Sequence, residues 1–117
     1  MSRIYVGGTL AVPEGKDAEF RRVVEELVGT VRSSDPGTVS VGFFPDPGRP
    51  GSYEVQEVYA DAASQWAHVQ NVGALLGELG DLGVSLEDFT VAGEPTAEAR
   101  AALDALGVTY VPVVAEV

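Results

Sequence analysis

Between Asp17 and Val31 the apolar side chains Phe20, Val23, Val24, Leu27, Val28 and Val31 recur at helical spacing, while Glu19, Arg21, Arg22, Glu25 and Glu26 take the other side. One face of a long helix is therefore committed to a core. The flanking segments show what it packs on. Ile4 to Val12 is rich in β-formers and ends at the turn Pro13-Glu14-Gly15. After the break at Asp35-Pro36-Gly37, Thr38 to Phe44 predicts a second strand with Val39, Val41 and Phe43 on one face. Three prolines between Pro45 and Gly51 rule out a regular element there, so this loop joins two antiparallel strands. The third strand runs from Tyr53 to Ala60 and places Tyr53, Val55, Glu57 and Tyr59 on one face.

Asp61 is a suitable N-cap for a second helix from Ala62, along which Ala62, Val69, Val72, Leu76 and Leu79 fall on one side. Gly73, Gly77, Gly80 and Gly83 weaken that helix by up to ~1 kcal/mol each, so a break is expected among them. Leu86 to Ala92 predicts the fourth strand, closed by Gly93-Glu94-Pro95. The order is βαββαβ, an α+β ferredoxin-like fold whose antiparallel sheet carries both helices on one face. The other face is then left bare, and an apolar bare face is most economically hidden by pairing two copies, which predicts a homodimer. Residues 1–95 make up this unit. Residues 96–117 add a helix capped by Thr96 and ended at Gly107, then an extended tail, Val108 to Val114. That segment has no evident place in the unit and is expected to reach across to the partner, with Val111, Val113 and Val114 at its sheet edge.

At 117 residues there is room for one domain. The formal charge is −11, and no Lys or Arg stands between Arg49 and Arg100. Nucleic acid is therefore an unsuitable partner, as is a phosphate-bearing cofactor. No cysteine is present, which excludes disulfides and thiolate chemistry. No apolar run approaches a membrane span and none near the N-terminus suits a signal peptide, so a cytoplasmic location is the expectation. His68 is the only histidine. Metal centres of zinc or non-haem iron commonly take two or more nitrogen or sulfur ligands, so no metal is expected. Gly7-Gly8 lacks the spacing of a dinucleotide fingerprint, and Ser64, one turn before His68, has no nucleophile elbow around it.

The strand-to-helix segment Glu57-Val58-Tyr59-Ala60-Asp61-Ala62-Ala63-Ser64-Gln65-Trp66-Ala67-His68, followed later by Gly93-Glu94-Pro95, resembles the antibiotic biosynthesis monooxygenase family of dimeric α+β barrels. The resemblance spans roughly residues 3 to 95. It implies a cofactor-free oxygenase acting with O2 on a phenolic, anthrone or hydroquinone-type aromatic, a polyketide or a quinol. His68 would then be the base or proton relay, and Glu57 would orient it. Tyr59, Trp66, Tyr5, Phe43, Tyr53 and Asn71 are the candidate substrate contacts, although Trp66 and His68 stand two apart and do not share a helical face. A second histidine common in the family is absent, with Asn71 and Val72 in that stretch. Two other readings stay open: a non-oxidative cyclase, isomerase or ligand-binding protein of the same fold, and a non-catalytic assembly module.

Overall fold

The computed structural model describes residues 2–117. Strand β1 (Ile4–Ala11) leads into helix α1 (Asp17–Ser34), which is followed by β2 (Thr38–Pro45), β3 (Ser52–Tyr59), α2 (Ala62–Asn71), α3 (Gly73–Asp81), β4 (Ser85–Ala92), α4 (Ala97–Ala105) and β5 (Thr109–Val111). The strands form one sheet in the order β2-β3-β1-β4-β5, antiparallel except for β5, which runs parallel to β4. This is the expected ferredoxin-like α+β arrangement with one strand added.

Register decides which side chains meet the helices. Val41, Glu57, Val6 and Val91 line up across four strands, and Phe43, Val55 and Gly8 form the next row. Both rows face the helices, because Val6, Val55, Tyr59 and Val91 are buried in clusters with residues of α1, α3 and α4. The opposite face carries Thr9, Ser40, Phe44, Glu54 and Gln56 in the alternate positions. The bare face is thus mixed rather than apolar, since the alternation sends the aliphatic set inward.

Gly8 has a specific task in the inner row. A Cβ there would lie 2.3 Å from the Phe89 ring, so only glycine lets that ring lie over β1. The register of β4 shifts at the same place, where Asp88 takes a positive φ of 54°, and the bulge aims Phe89 inward.

The expected break in the second helix falls at Val72, at the edge of the glycine run. Val72 is fully buried against Leu27 and Val31 of α1, and this anchor fixes where α2 ends and α3 begins. The C-terminal segment differs from expectation, because it does have a place in its own unit. Ala99 and Leu103 of α4 are buried with Ile4, Val6, Tyr59 and Val91 on the inner face, and Thr109 to Val111 pair with Thr90 to Ala92. Arg100 lies 4.0 Å over the Tyr110 ring and so joins α4 to β5. The pattern missed this because a helix with only two buried apolar positions gives a weak stripe. Beyond β5 the tail crosses to the outer face, where Tyr5 donates to Glu116 at 2.9 Å.

Because α4 closes one end of the core, Leu103→Ala should lower the stability of the chain by about 2–5 kcal/mol in urea unfolding. An unchanged midpoint would mean that α4 is only loosely attached.

Candidate active site

The Asp61 side chain caps α2 by accepting from the Ser64 amide at 2.8 Å, which sets the start of that helix. With the start fixed, Gln65 and His68 lie one turn apart on the side facing the sheet, and both are buried. The turn after α1 is pressed against the same helix. A Cβ on Gly37 would meet Ser64 Oγ at 2.1 Å, and the Gly37 carbonyl accepts from the Ala60 amide. Glycine at this point lets the Asp35 turn reach α2.

That approach brings the Asp35 carboxylate to His68. Asp35 Oδ2 lies 2.7 Å from His68 Nδ1, and Asp35 Oδ1 accepts from the Asn71 side-chain amide. With Nδ1–H donating to the carboxylate, the ring is held in one orientation and Nε2 is left to face the sheet. There, at 3.6 Å, stands Glu57 Oε1. Glu57 in turn accepts from the Tyr59 hydroxyl, and the Tyr59 ring leans on the imidazole with centroids 5.1 Å apart.

Burial pushes the Glu57 carboxyl above the ordinary carboxylate range, and the Tyr59 hydrogen bond and nearby His68 only partly offset this. Burial likewise holds the Tyr59 phenol far above its ordinary value, with the Glu57 carboxylate adding to the effect. The group therefore pairs an imidazole oriented by a carboxylate with a carboxyl that burial holds above its ordinary range. An imidazole nitrogen and a carboxyl at this separation can take a proton from one substrate atom and give one to another.

These polar groups form one wall of a cavity of about 380 Å³ between sheet and helices. Its other walls are almost wholly aliphatic or aromatic, including Leu10, Leu27, Phe43, Leu79 and Phe89. The volume is within the range of roughly 300–1,000 Å³ found for small-molecule sites. Leu76, Leu86 and Leu106 also line it, and each is at least 40% exposed, so the cavity reaches the surface between α3, β4 and α4. Glu57, Tyr59, Gln65 and His68 take buried or half-buried positions in its lining.

Of the residues singled out in the sequence, His68, Glu57, Tyr59 and Phe43 line the cavity together. Asn71 touches Asp35 rather than the cavity. Trp66 packs with Ile4, Tyr59 and Ala99, on the other side of its helix from His68. Tyr53 stacks on Phe20 at the far end and bonds Asp17 and Arg21, while Tyr5 lies on the outer face. Two residues of the site escaped sequence reasoning. Asp35 reads as a turn residue before Pro36-Gly37, and only its place at the end of an apolar helix hinted at burial. Gln65 shares the His68 face by i,i+3 spacing, a signal that was available. Among the described residues no group of three or more His, Cys, Asp or Glu is arranged to hold a metal ion, and no helix is long and apolar enough to cross a membrane.

The family model of antibiotic biosynthesis monooxygenases matches residues 3–75. Among solved structures, MupZ from Pseudomonas fluorescens superposes over 100% of this chain and 94% of its own, with a TM-score of 0.83 at 20% identity. A Caulobacter crescentus protein placed with the antibiotic biosynthesis monooxygenases covers 74% of this chain and 86% of its own, with a TM-score of 0.65 at 26% identity. A Deinococcus radiodurans protein placed in the same group gives 0.66 at 20% identity, covering 82% and 95%. No curated protein sequence matches the chain significantly.

The raised Glu57 carboxyl has a consequence for stability. Below the ordinary value of 4.5 it is protonated folded or unfolded; as pH rises from there, the unfolded chain releases this proton more readily, and that contribution to stability is lost up to the folded value. Glu57→Gln cannot lose it. In urea unfolding across about pH 4 to 8, the stability of E57Q relative to the parent should rise with pH, and a flat difference would show that Glu57 ionises freely in the folded chain.

Proposed function

Since this chain belongs to the antibiotic biosynthesis monooxygenase family, we propose that it is a cofactor-independent monooxygenase that oxidises a phenolic, anthrone or hydroquinone-type aromatic with O2. The observation that carries this reading is the position of His68 Nε2, oriented by Asp35 and facing Glu57 at the polar end of an apolar cavity. Removing a proton from a phenol or from the enol of an anthrone gives an electron-rich anion, which can pass electrons to O2 directly. Atoms and electrons balance without another reductant: an anthrone CH2 and O2 become C=O and H2O, the four electrons coming from the substrate carbon. The chain's own work is to bind the flat ring among Phe43, Phe89 and the leucines, exclude water, take the proton at His68 Nε2 and supply one from Glu57 to the departing oxygen.

His68→Gln keeps a polar side chain but no base, and should slow O2-dependent product formation from an anthrone by about 100-fold or more. Asp35→Asn should slow it less, because the ring keeps a partner but not its charge. An H68Q protein as fast as its parent would remove this reading.

A second reading is favoured by Glu57, whose carboxyl tends to keep its proton. A base and an acid 3.6 Å apart suit a reaction in which one substrate oxygen loses a proton and another gains one, as in cyclisation or isomerisation of a polyketide. Such a product formed equally fast without oxygen would favour this reading over the oxygenase.

Members of this family are commonly dimeric. The outer face of the sheet, where Phe44 stands half exposed in the row of Glu54 and Thr9, is the surface for a second copy. Light scattering at micromolar concentration should give twice the 12.2 kDa chain mass, and Phe44→Glu should shift it toward one chain. A single-chain mass for the parent would remove the dimer.

A further inference from the structure

We infer that Gln65 reads a second hydroxyl group of the substrate, so that the site takes a molecule whose two hydroxyls stand about one aromatic ring apart. This rests on the reading of His68 as the base that takes the first of them. Gln65 is 3% exposed and lines the cavity beside Glu57, Tyr59 and His68, and its Oε1 has no hydrogen-bond partner among the described residues. A buried acceptor without water or a donor weighs against folding, and such groups in native proteins are commonly satisfied by something that binds. The other two buried side-chain oxygens without a partner belong to Thr38 and Ser52, neither of which lines this cavity. The unmet demand within the cavity is therefore for a donor at Gln65.

The geometry of α2 fixes the spacing. Residues three apart on a helix have Cβ atoms about 5–6 Å apart on one face, so Gln65 and His68 present their polar ends to the cavity side by side. The Tyr59 hydroxyl donates to Glu57, and neither residue makes a hydrogen bond to Gln65 Oε1. A hydroquinone placed with one hydroxyl at His68 Nε2 offers its other hydroxyl at a distance that Gln65 can reach. The aromatic body then lies against the apolar walls, and anything attached to it extends toward Leu76, Leu86 and Leu106 at the rim.

The test uses 1,4-dihydroxynaphthalene and 4-methoxy-1-naphthol, which differ by one donor, titrated without oxygen against the fluorescence of Trp66, the only tryptophan. The parent should bind the diol about tenfold more tightly than the ether, the usual scale for one buried hydrogen bond and its orphaned acceptor. Gln65→Leu should bring the two affinities within about twofold of each other, whereas H68Q should keep the preference. Loss of the preference in H68Q would assign it to the base and overturn the role of Gln65, while a parent that shows the preference but forms no oxidised product in air would sink only the oxygenase reading. An unchanged preference in Q65L, or a parent that binds neither probe, overturns the inference. Urea unfolding supplies a readout free of ligand: removing an unpaired amide should leave Q65L at least as stable as the parent, and a marked loss of stability would mean that Gln65 is structural.

Discussion

Asp35 occupies the least favourable place for a carboxylate in this chain. It caps the C-terminal end of α1, where the helix dipole is negative, and its side chain is almost wholly removed from water. Two donors from α2, His68 Nδ1 and the Asn71 amide, offset that penalty. They can do so only if the turn after α1 lies against the first part of α2, which requires Gly37 beneath Ser64. The orientation of the imidazole, the position of α2 over β3 and the meeting of His68 with Glu57 all follow from this one buried pair. Replacing such a pair with hydrocarbon is often neutral for stability, so its persistence here is better understood as fixing one arrangement of the site.

The rest of the cavity does the opposite of what Asp35 does. Its walls come from inward positions of β1, β2, β3 and β4 and from all four helices, and nearly all are hydrocarbon. In such surroundings the few polar groups interact strongly, and charge on any of them is costly. This is why the Glu57 carboxyl and the Tyr59 phenol both resist ionisation. The apolar walls thus also raise the proton affinity of the carboxyl that they enclose.

Period and punctuation in the sequence were enough to place the first four strands and the first helix, because each carries a strong stripe or alternation closed by proline or glycine. That Tyr53, Val55, Glu57 and Tyr59 share one face was legible in the same way, and so was the Asp61 cap, but which face turns toward the helices was not. Asp35 was not, because a turn aspartate next to Pro-Gly looks the same whether it faces water or a histidine 33 positions away. The place of α4 was also hidden, since two buried residues on a short helix leave almost no periodic signal. That Tyr5 takes the outer face, and that Tyr53 lies beyond the cavity on the inner one, depends on how the strands are aligned, which a single run of β-formers does not determine.

Asp35, Glu57, Gln65 and His68 all precede residue 76, within the stretch matched by the family model, whereas the rim of the cavity is built from Leu76, Leu86, Leu106 and Val108. The polar end of the cavity and its rim are therefore drawn from successive stretches of the chain. Substituting the rim leucines would reshape the mouth without replacing the groups at the polar end. Val72, where α2 gives way to α3, is the joint between the two, so the rim and the polar end sit on separate helices.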